Sequence, residues 1–255
     1  MEAKPEPLDW LLEAADKLTA RYEPPIPLVA ILKQFEIRIA PPSKQASPSA
    51  AHASLHREGE KYLIKLNRGD LDRPFSSHEL FSVAHEFGHV LLIRRYNWEP
   101  KTKRDHYDTE EYCNRFAGQL IIPNRFIAAF KPTSAQSALR FLRIIMAKTG
   151  ASPEVTARRL TEQYSGLAFC SARKMKNKAE KPVWRLWWGV SSHPIHKFNR
   201  GQDLLDDSPI ADYLNSMTAL WETTDIVSDN RLDAATTMFA RGRGSSMLLA
   251  IHADN

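Results

Sequence analysis

The sequence predicts an α+β protein in three consecutive parts, and three patterns support this. Apolar residues recur at helical spacing through most of the first 164 residues, "KYLIKLN" alternates apolar and polar residues as a strand does, and aromatic and branched residues dominate short runs after residue 166. We expect a mostly helical domain with a small sheet at 1–132, a helix-turn-helix-like segment at 133–164 and a small α/β domain at 165–255. A chain of 255 residues with 43% hydrophobic content can bury one large core or two modest ones.

Composition excludes several classes of protein. No charge-free stretch approaches the ~18 apolar residues of a membrane span, and the first residues carry acids where a secretory signal is basic and then apolar. We therefore expect a cytoplasmic protein with no membrane partner. Cys113 and Cys170 lack the CxxC spacing of redox or cysteine-rich zinc sites, so both are expected to be reduced and buried.

The net charge of +5 permits attraction to nucleic acid, but the charges are segregated. Basic residues gather at 94–104 and 173–185, whereas 203–233 is acidic. Such runs form solvated faces more often than DNA-binding surfaces. Nucleic acid is therefore the less favoured direct ligand.

Periodicity and punctuation define the elements of the first part. Two amphipathic runs predict helices, and the second follows prolines suited to a first helical turn. A stretch rich in Pro, Ser and Ala predicts a loop, and alternating Tyr62, Ile64 and Leu66 predict one strand of a small sheet. The helices are expected at 7–22 and 24–35, the loop at 40–51, a turn at 57–61 and the strand at 61–67.

The next helix has a recognisable start and an unusual middle. Ser76 and Glu79 have the spacing of a capping box, which predicts a helix over 77–95. At about 100° per residue, His85 and His89 lie about 40° apart on one face of this helix, which is apolar nearly all round. Such groups are costly to bury unless something pairs with them.

The H-E-x-x-H spacing supplies that partner. It directs both imidazoles at one point, which suits a zinc ion, and leaves Glu86 beside the water that reacts. A catalytic zinc takes a third protein ligand and keeps one position open. The candidate metal ligands are therefore His85 and His89 with one further group, and the candidate general base is Glu86.

A second helix is predicted over 108–123, with its start signal at Asp108 or Thr109 and its stop at Pro123. Helical geometry places Glu110 within about 20° of Ala117 in the apolar stripe, so Glu110 is expected to face inward as the third ligand. Rival ligands in an expected loop have no such directional support: Asp105, His106 and Asp108. The group that stabilises the oxyanion is left open among His106, Tyr107 and Tyr112.

These residues resemble the ImmA/IrrE family of metallopeptidases over roughly the first half of the chain. The resemblance is carried by "YLIKLN", "SVAHEFGHVLL" and "EEYCNRFAGQLIIP". It implies a zincin-like peptidase domain that holds Zn2+ through His85, His89 and Glu110 and that uses Glu86 as general base. Ligand type favours Zn2+, with Mn2+ as the alternative ion. It also implies a helix-turn-helix repressor as the protein substrate, cleaved so that stress or mobile-element genes are released.

The second half reads as two helices and then a small α/β module. Residues 137–164 have the outline of a helix-turn-helix, in which Arg158, Arg159 and Gln163 are compatible with DNA contact, although two packed helices with outward arginines are the commoner outcome. Relatives of the radiation-response type imply a GAF-like sensor after the peptidase. The predicted elements are strands at 166–173, 183–190, 236–242 and 246–254 and a helix at 208–221.

Two features of this half are read as ordinary structure. Trp184, Trp187 and Trp188 are more often core residues than a ligand pocket, and His193 and His196 lie in a loop without helical geometry. The alternative function is a non-catalytic DNA-binding regulator built on a degenerate peptidase fold. The intact general base favours an enzyme instead, and a peptidase that is silent until a partner activates it is a third hypothesis.

Overall fold

A computed structural model of the chain describes residues 6–42, 52–176, 180, 182–192, 233–241 and 244–252. The described residues form seven helices and two sheets, which confirms the predicted α+β class. They belong to two compact units, one of Met1–Ala129 with Ile145–Ser152 and one of Phe130–Ile144 with Pro153–Asn255. None of the described helices is long and apolar enough to cross a membrane.

The first unit contains helices and a three-stranded sheet, whose strands are β1 (Ile37–Ala40), β2 (Ala53–Glu58) and β3 (Lys61–Leu66). β3 is the central strand, parallel to β1 and antiparallel to β2, and the side chains of Ile64 and Leu66 on it are fully buried. The predicted turn at 57–61 joins β2 to β3, and the predicted strand is confirmed. Its helices are α1 (Pro7–Thr19), α2 (Leu28–Gln34), α3 (Ser77–Tyr96), α4 (Lys103–Ile121) and α5 (Asn124–Ile127).

The predicted capping box begins α3. The Ser76 hydroxyl accepts a hydrogen bond from the Glu79 amide, and the Glu79 carboxylate accepts one from the Ser76 amide at 2.7 Å. The helix ends at Tyr96, and the next residue, Asn97, caps it in a left-handed conformation with φ 49°. Its inner face is fully buried at Val83, Phe87 and Val90.

The Glu79 carboxylate also joins the start of α3 to the segment that leaves β3. It pairs with Arg68 at 3.2 Å and with Arg73 at 2.7 Å. The Arg68 side chain is only 5% exposed, and it donates further hydrogen bonds to the backbone carbonyls of Leu71, Arg73 and Pro74. This buried arginine therefore holds the connection between sheet and helix in one conformation.

The predicted start of α4 was wrong. The helix begins at Lys103 rather than at 108, because Thr102 and Asp105 form a second reciprocal capping box. Asp105, His106 and Asp108 consequently lie on the helix and not in a loop. The predicted end before Pro123 is confirmed.

α3 and α4 pack closely around Gly88. A side-chain carbon at this position would lie 3.1 Å from Cδ1 of Phe116, 3.2 Å from Sγ of Cys113 and 3.3 Å from the backbone Cα of Cys113. A larger residue would need these neighbours to move by a few tenths of an ångström, so glycine permits the close approach of the helices. This close approach brings the histidines of α3 next to the first half of α4.

The second unit contains four strands, β4 (Leu167–Lys176), β5 (Pro182–Ser191), β6 (Asp233–Arg241) and β7 (Gly244–His252). They form an antiparallel sheet of order β5-β4-β7-β6. Its four strands confirm the predicted strands, and Cys170 on β4 is buried, as is Cys113 on α4. Trp184 is buried in agreement with a core role, whereas Trp187 is partly exposed with the Arg173 guanidinium 4.0 Å from its ring centre. The two further helices of the described residues are α6 (Ala135–Thr149) and α7 (Pro153–Gln163).

Other predictions for this half have mixed outcomes. The two helices of the 137–164 segment are present, but the expectation that Arg159 faces outward was wrong. Arg159 is buried because it forms an ion pair with Glu162 one turn along α7. The helix predicted at 208–221, His193, His196 and most of the loop predicted at 40–51 lie outside the described residues.

Candidate metal centre

The structure brings together the three predicted metal ligands. Nε2 of His85 lies 3.3 Å from Oε2 of Glu110, Nε2 of His89 lies 3.3 Å from Oε1 of the same carboxylate, and the two Nε2 atoms are 3.0 Å apart. One ligand atom from each residue falls within 4.8 Å of the other two. The three side chains thus offer two nitrogens and a carboxylate oxygen to a single point.

Their surroundings leave the group partly accessible from outside. The side chains of His85 and His89 are 14% and 20% exposed, whereas Glu110 is 41% exposed, so the group is half-buried and open on the α4 side. Two imidazoles and one carboxylate match the donor set of catalytic zinc sites, which keep a further position free. The residues present therefore fit the implied ion.

Burial keeps the two imidazoles neutral, and only neutral imidazoles can bind a metal. Burial lowers the pKa of His85, although the Glu110 charge and a hydrogen bond with Asn114 act to raise it. Burial and the neighbouring His85 lower the pKa of His89 to about 4. Both side chains consequently have a lone pair available near neutral pH.

Glu86 lies on α3 between the two histidines and has an unusual protonation equilibrium. Burial, followed by the charge of Glu110, raises the pKa of Glu86 to about 7. The backbone N–H of Leu55 on β2 donates a hydrogen bond to the Glu86 carboxylate, which acts to lower that pKa. A carboxyl group with a pKa near neutrality can both take up and release a proton at physiological pH.

The rival ligands have other positions. The Asp105 carboxylate accepts hydrogen bonds from the Lys101 and Thr102 amides at the start of α4, and Asp108 lies 3.8 Å from Arg104. Neither belongs to the three-residue group. These acids stabilise the helix instead.

Among the candidates for oxyanion stabilisation, His106 is exposed near the start of α4. It precedes Glu110 by one helical turn on α4, and its charge contributes to lowering the pKa of His89. Tyr107 is 73% exposed. Tyr112 is half-buried on the same helix.

One residue of the site had no role in the sequence-based prediction. Oδ1 of Asn114 lies 2.9 Å from Nδ1 of His85, on the far side of the ring from the other ligands. Two sequence signals pointed to Asn114: its place one turn after Glu110, and its presence in the segment "EEYCNRFAGQLIIP" that carries the family resemblance.

Comparisons with known proteins agree with this picture. A model of the Peptidase_M78 family, described as the IrrE N-terminal-like domain, matches residues 33–161. A solved structure described as a Mycobacterium tuberculosis transcriptional regulator superposes with a TM-score of 0.56 over 96% of this chain and 76% of its own, at 16% identity, and so shares the fold. No curated protein sequence gives a significant match.

Proposed function

This chain belongs to the IrrE N-terminal-like family of Peptidase_M78 proteins, and from that premise we propose that it is a zinc-dependent endopeptidase that cleaves a helix-turn-helix repressor. The observation that carries the proposal is the place of Glu86. Its carboxyl group, with a pKa of about 7, adjoins three side chains that converge as metal ligands. A site that only held a structural ion has no use for such a proton acceptor.

The residues of the site divide the work. His85, His89 and Glu110 hold the ion, for which Zn2+ is the best match and Mn2+ the alternative. When bound, the ion supplies Lewis acidity that lowers the pKa of water and polarises the scissile carbonyl. Glu86 takes the proton of the attacking water and delivers it to the leaving amine, a contribution of roughly 10²–10⁴-fold in rate. The Leu55 amide keeps the Glu86 carboxylate in position during both transfers.

A repressor substrate is supported by two likenesses. The resemblance to ImmA/IrrE peptidases implies this substrate class, and the similar Mycobacterium tuberculosis protein is named a transcriptional regulator. Cleavage then relieves repression of stress or mobile-element genes, which also fits a cytoplasmic location. The antiparallel sheet β5-β4-β7-β6 is compatible with a GAF-like sensor that controls the peptidase.

The alternative function is a DNA-binding regulator without catalysis, in which α7 is the recognition helix. The regulator name of the similar structure favours it. Against it, Arg159 is buried in an ion pair with Glu162, so α7 offers fewer free cations than its sequence suggests.

The deciding experiment uses purified protein and a helix-turn-helix repressor encoded beside its gene. With zinc, the wild type is expected to cleave the repressor at a defined bond, and Glu86→Gln is expected to bind equal zinc without cleavage. The double variant His85→Ala/His89→Ala should lose both. Cleavage by Glu86→Gln at the wild-type rate contradicts the assigned role. DNA binding by the purified protein, without any cleavage of the repressor, supports the alternative.

A further inference from the structure

The two ring nitrogens of His85 have different neighbours. Nδ1 is 2.9 Å from Oδ1 of Asn114, whereas Nε2 faces Glu110 at 3.3 Å and His89 at 3.0 Å. An amide oxygen only accepts hydrogen bonds, so Nδ1 of the neutral ring must carry the proton. Nε2 is then left with its lone pair directed at the metal ligand group.

Helix α4 delivers this arrangement as a unit. Glu110 and Asn114 are four residues apart, so they lie one above the other on the face of α4 that meets α3. The contact of Cys113 and Phe116 with Gly88 fixes the distance between the helices. A ligand and the group that orients the opposite ligand thus come from consecutive turns of one helix.

We propose that Asn114 is a positioning residue that locks His85 in the Nδ1–H tautomer, so that Nε2 of His85 presents its lone pair to the metal. This inference rests on the proposed metal site. Orienting partners of this kind typically change metal affinity by about 10–100-fold when removed.

Zinc affinity tests the role of Asn114. Competition against a chromogenic chelator is expected to show about 10–100-fold weaker binding for Asn114→Ala. Asn114→Asp keeps an acceptor oxygen and is expected to retain most of the affinity. Tyr107→Ala is the matched control, since this neutral residue of the same helix is exposed and should bind zinc as the wild type does. Wild-type affinity in Asn114→Ala overturns the proposal.

The tautomer itself provides a second readout that does not depend on metal. Long-range proton–nitrogen spectra of the metal-free, ¹⁵N-histidine-labelled wild type should show His85 protonated on Nδ1. In Asn114→Ala, His85 should revert toward the Nε2–H form that predominates in free side chains. Zinc should leave the His85 proton on Nδ1.

The outcomes separate the two proposals. An Nε2–H tautomer of His85 in the wild type refutes the role of Asn114 even if Asn114→Ala does not fold. Failure of the wild type to bind zinc at all contradicts the metal site and so the proposed function. Zinc binding with an unaffected Asn114→Ala variant contradicts only the positioning role.

Discussion

Replacing Gly88 by alanine should weaken the metal centre without touching a ligand. The added carbon meets the Phe116 ring edge and the Cys113 thiol at 3.1 and 3.2 Å, and these two side chains can yield by small rotations. The third contact, 3.3 Å to the Cα of Cys113, involves backbone. It can relax only if α3 and α4 move apart, and this motion separates Glu110 from the two histidines.

The expected stability change is a difference of two terms. Alanine favours the helix over glycine by about 0.8–1 kcal/mol, whereas overpacking of this kind costs about 1–3 kcal/mol. The Gly88→Ala protein should therefore be destabilised by about 0–2 kcal/mol. Its zinc affinity should fall by more than this stability change suggests, because ligand geometry is sensitive to shifts of a few tenths of an ångström.

Urea denaturation of the metal-free protein and chelator competition measure the two effects separately. Gly69→Ala is the matched control, since its added carbon would meet nothing within 4 Å. Adding Cys113→Ala to Gly88→Ala removes the thiol contact and should restore part of the stability. A Gly88→Ala protein that is about 1 kcal/mol more stable than the wild type and binds zinc equally well refutes the reasoning.

Three further predictions concern charge and metal. Between its ordinary pKa of 4.5 and its raised pKa of about 7, Glu86 holds a proton in the folded state that the unfolded state has lost, so stability falls as pH rises through this window. In urea unfolding with a chelator present, Glu86→Gln should therefore be more stable than the wild type by about 1–2 kcal/mol at pH 8, a value discounted for partial exposure, and equally stable at pH 4. Glu111→Gln is the control, and equal urea midpoints of Glu86→Gln and wild type at pH 8 contradict the prediction. Glu79→Ala leaves the buried Arg68 unpaired and should cost about 3–5 kcal/mol in urea unfolding. Burial acts to raise the Glu79 pKa, but hydrogen bonds with Ser76 and the charges of Arg68 and Arg73 lower it overall. The wild type should therefore exceed Glu79→Gln in unfolding free energy by the full amount above pH 4.5 and by less in more acidic solution. A difference that does not change with pH contradicts the assignment. Zinc at about 100 times its Kd should stabilise the wild type by about 2.7 kcal/mol in thermal unfolding and leave His85→Ala/His89→Ala unchanged.

Local rules account for the parts of the fold that could be predicted. The capping box of Ser76 and Glu79 and the four-residue spacing of His85 and His89 depend only on helix geometry, so the start of α3 and its ligand face follow from sequence. β1 has four residues, too few for a periodic signal, and was not predicted individually. The start of α4 was missed because Asp108 offered a competing start signal.

The parts that could not be predicted depend on distances between elements. Asn114 has a role only because Nδ1 of His85 lies 2.9 Å away, and no spacing rule gives that distance between two helices. The Leu55 amide reaches Glu86 from a strand some 30 residues earlier in the chain. Arg159 was expected outside because arginine is usually exposed, but a partner within the same helix makes its burial affordable.

The single carboxylate of Glu79 has a consequence for how the protein opens. It is shared by the first turn of α3 and by Arg68, two residues after the end of β3, so neither end of this connection is expected to fray while the other remains folded. Slow amide exchange should therefore extend without a break from β3 into the first turn of α3, with one common opening free energy. We expect the histidines two turns further along α3 to keep their positions as long as this connection is folded.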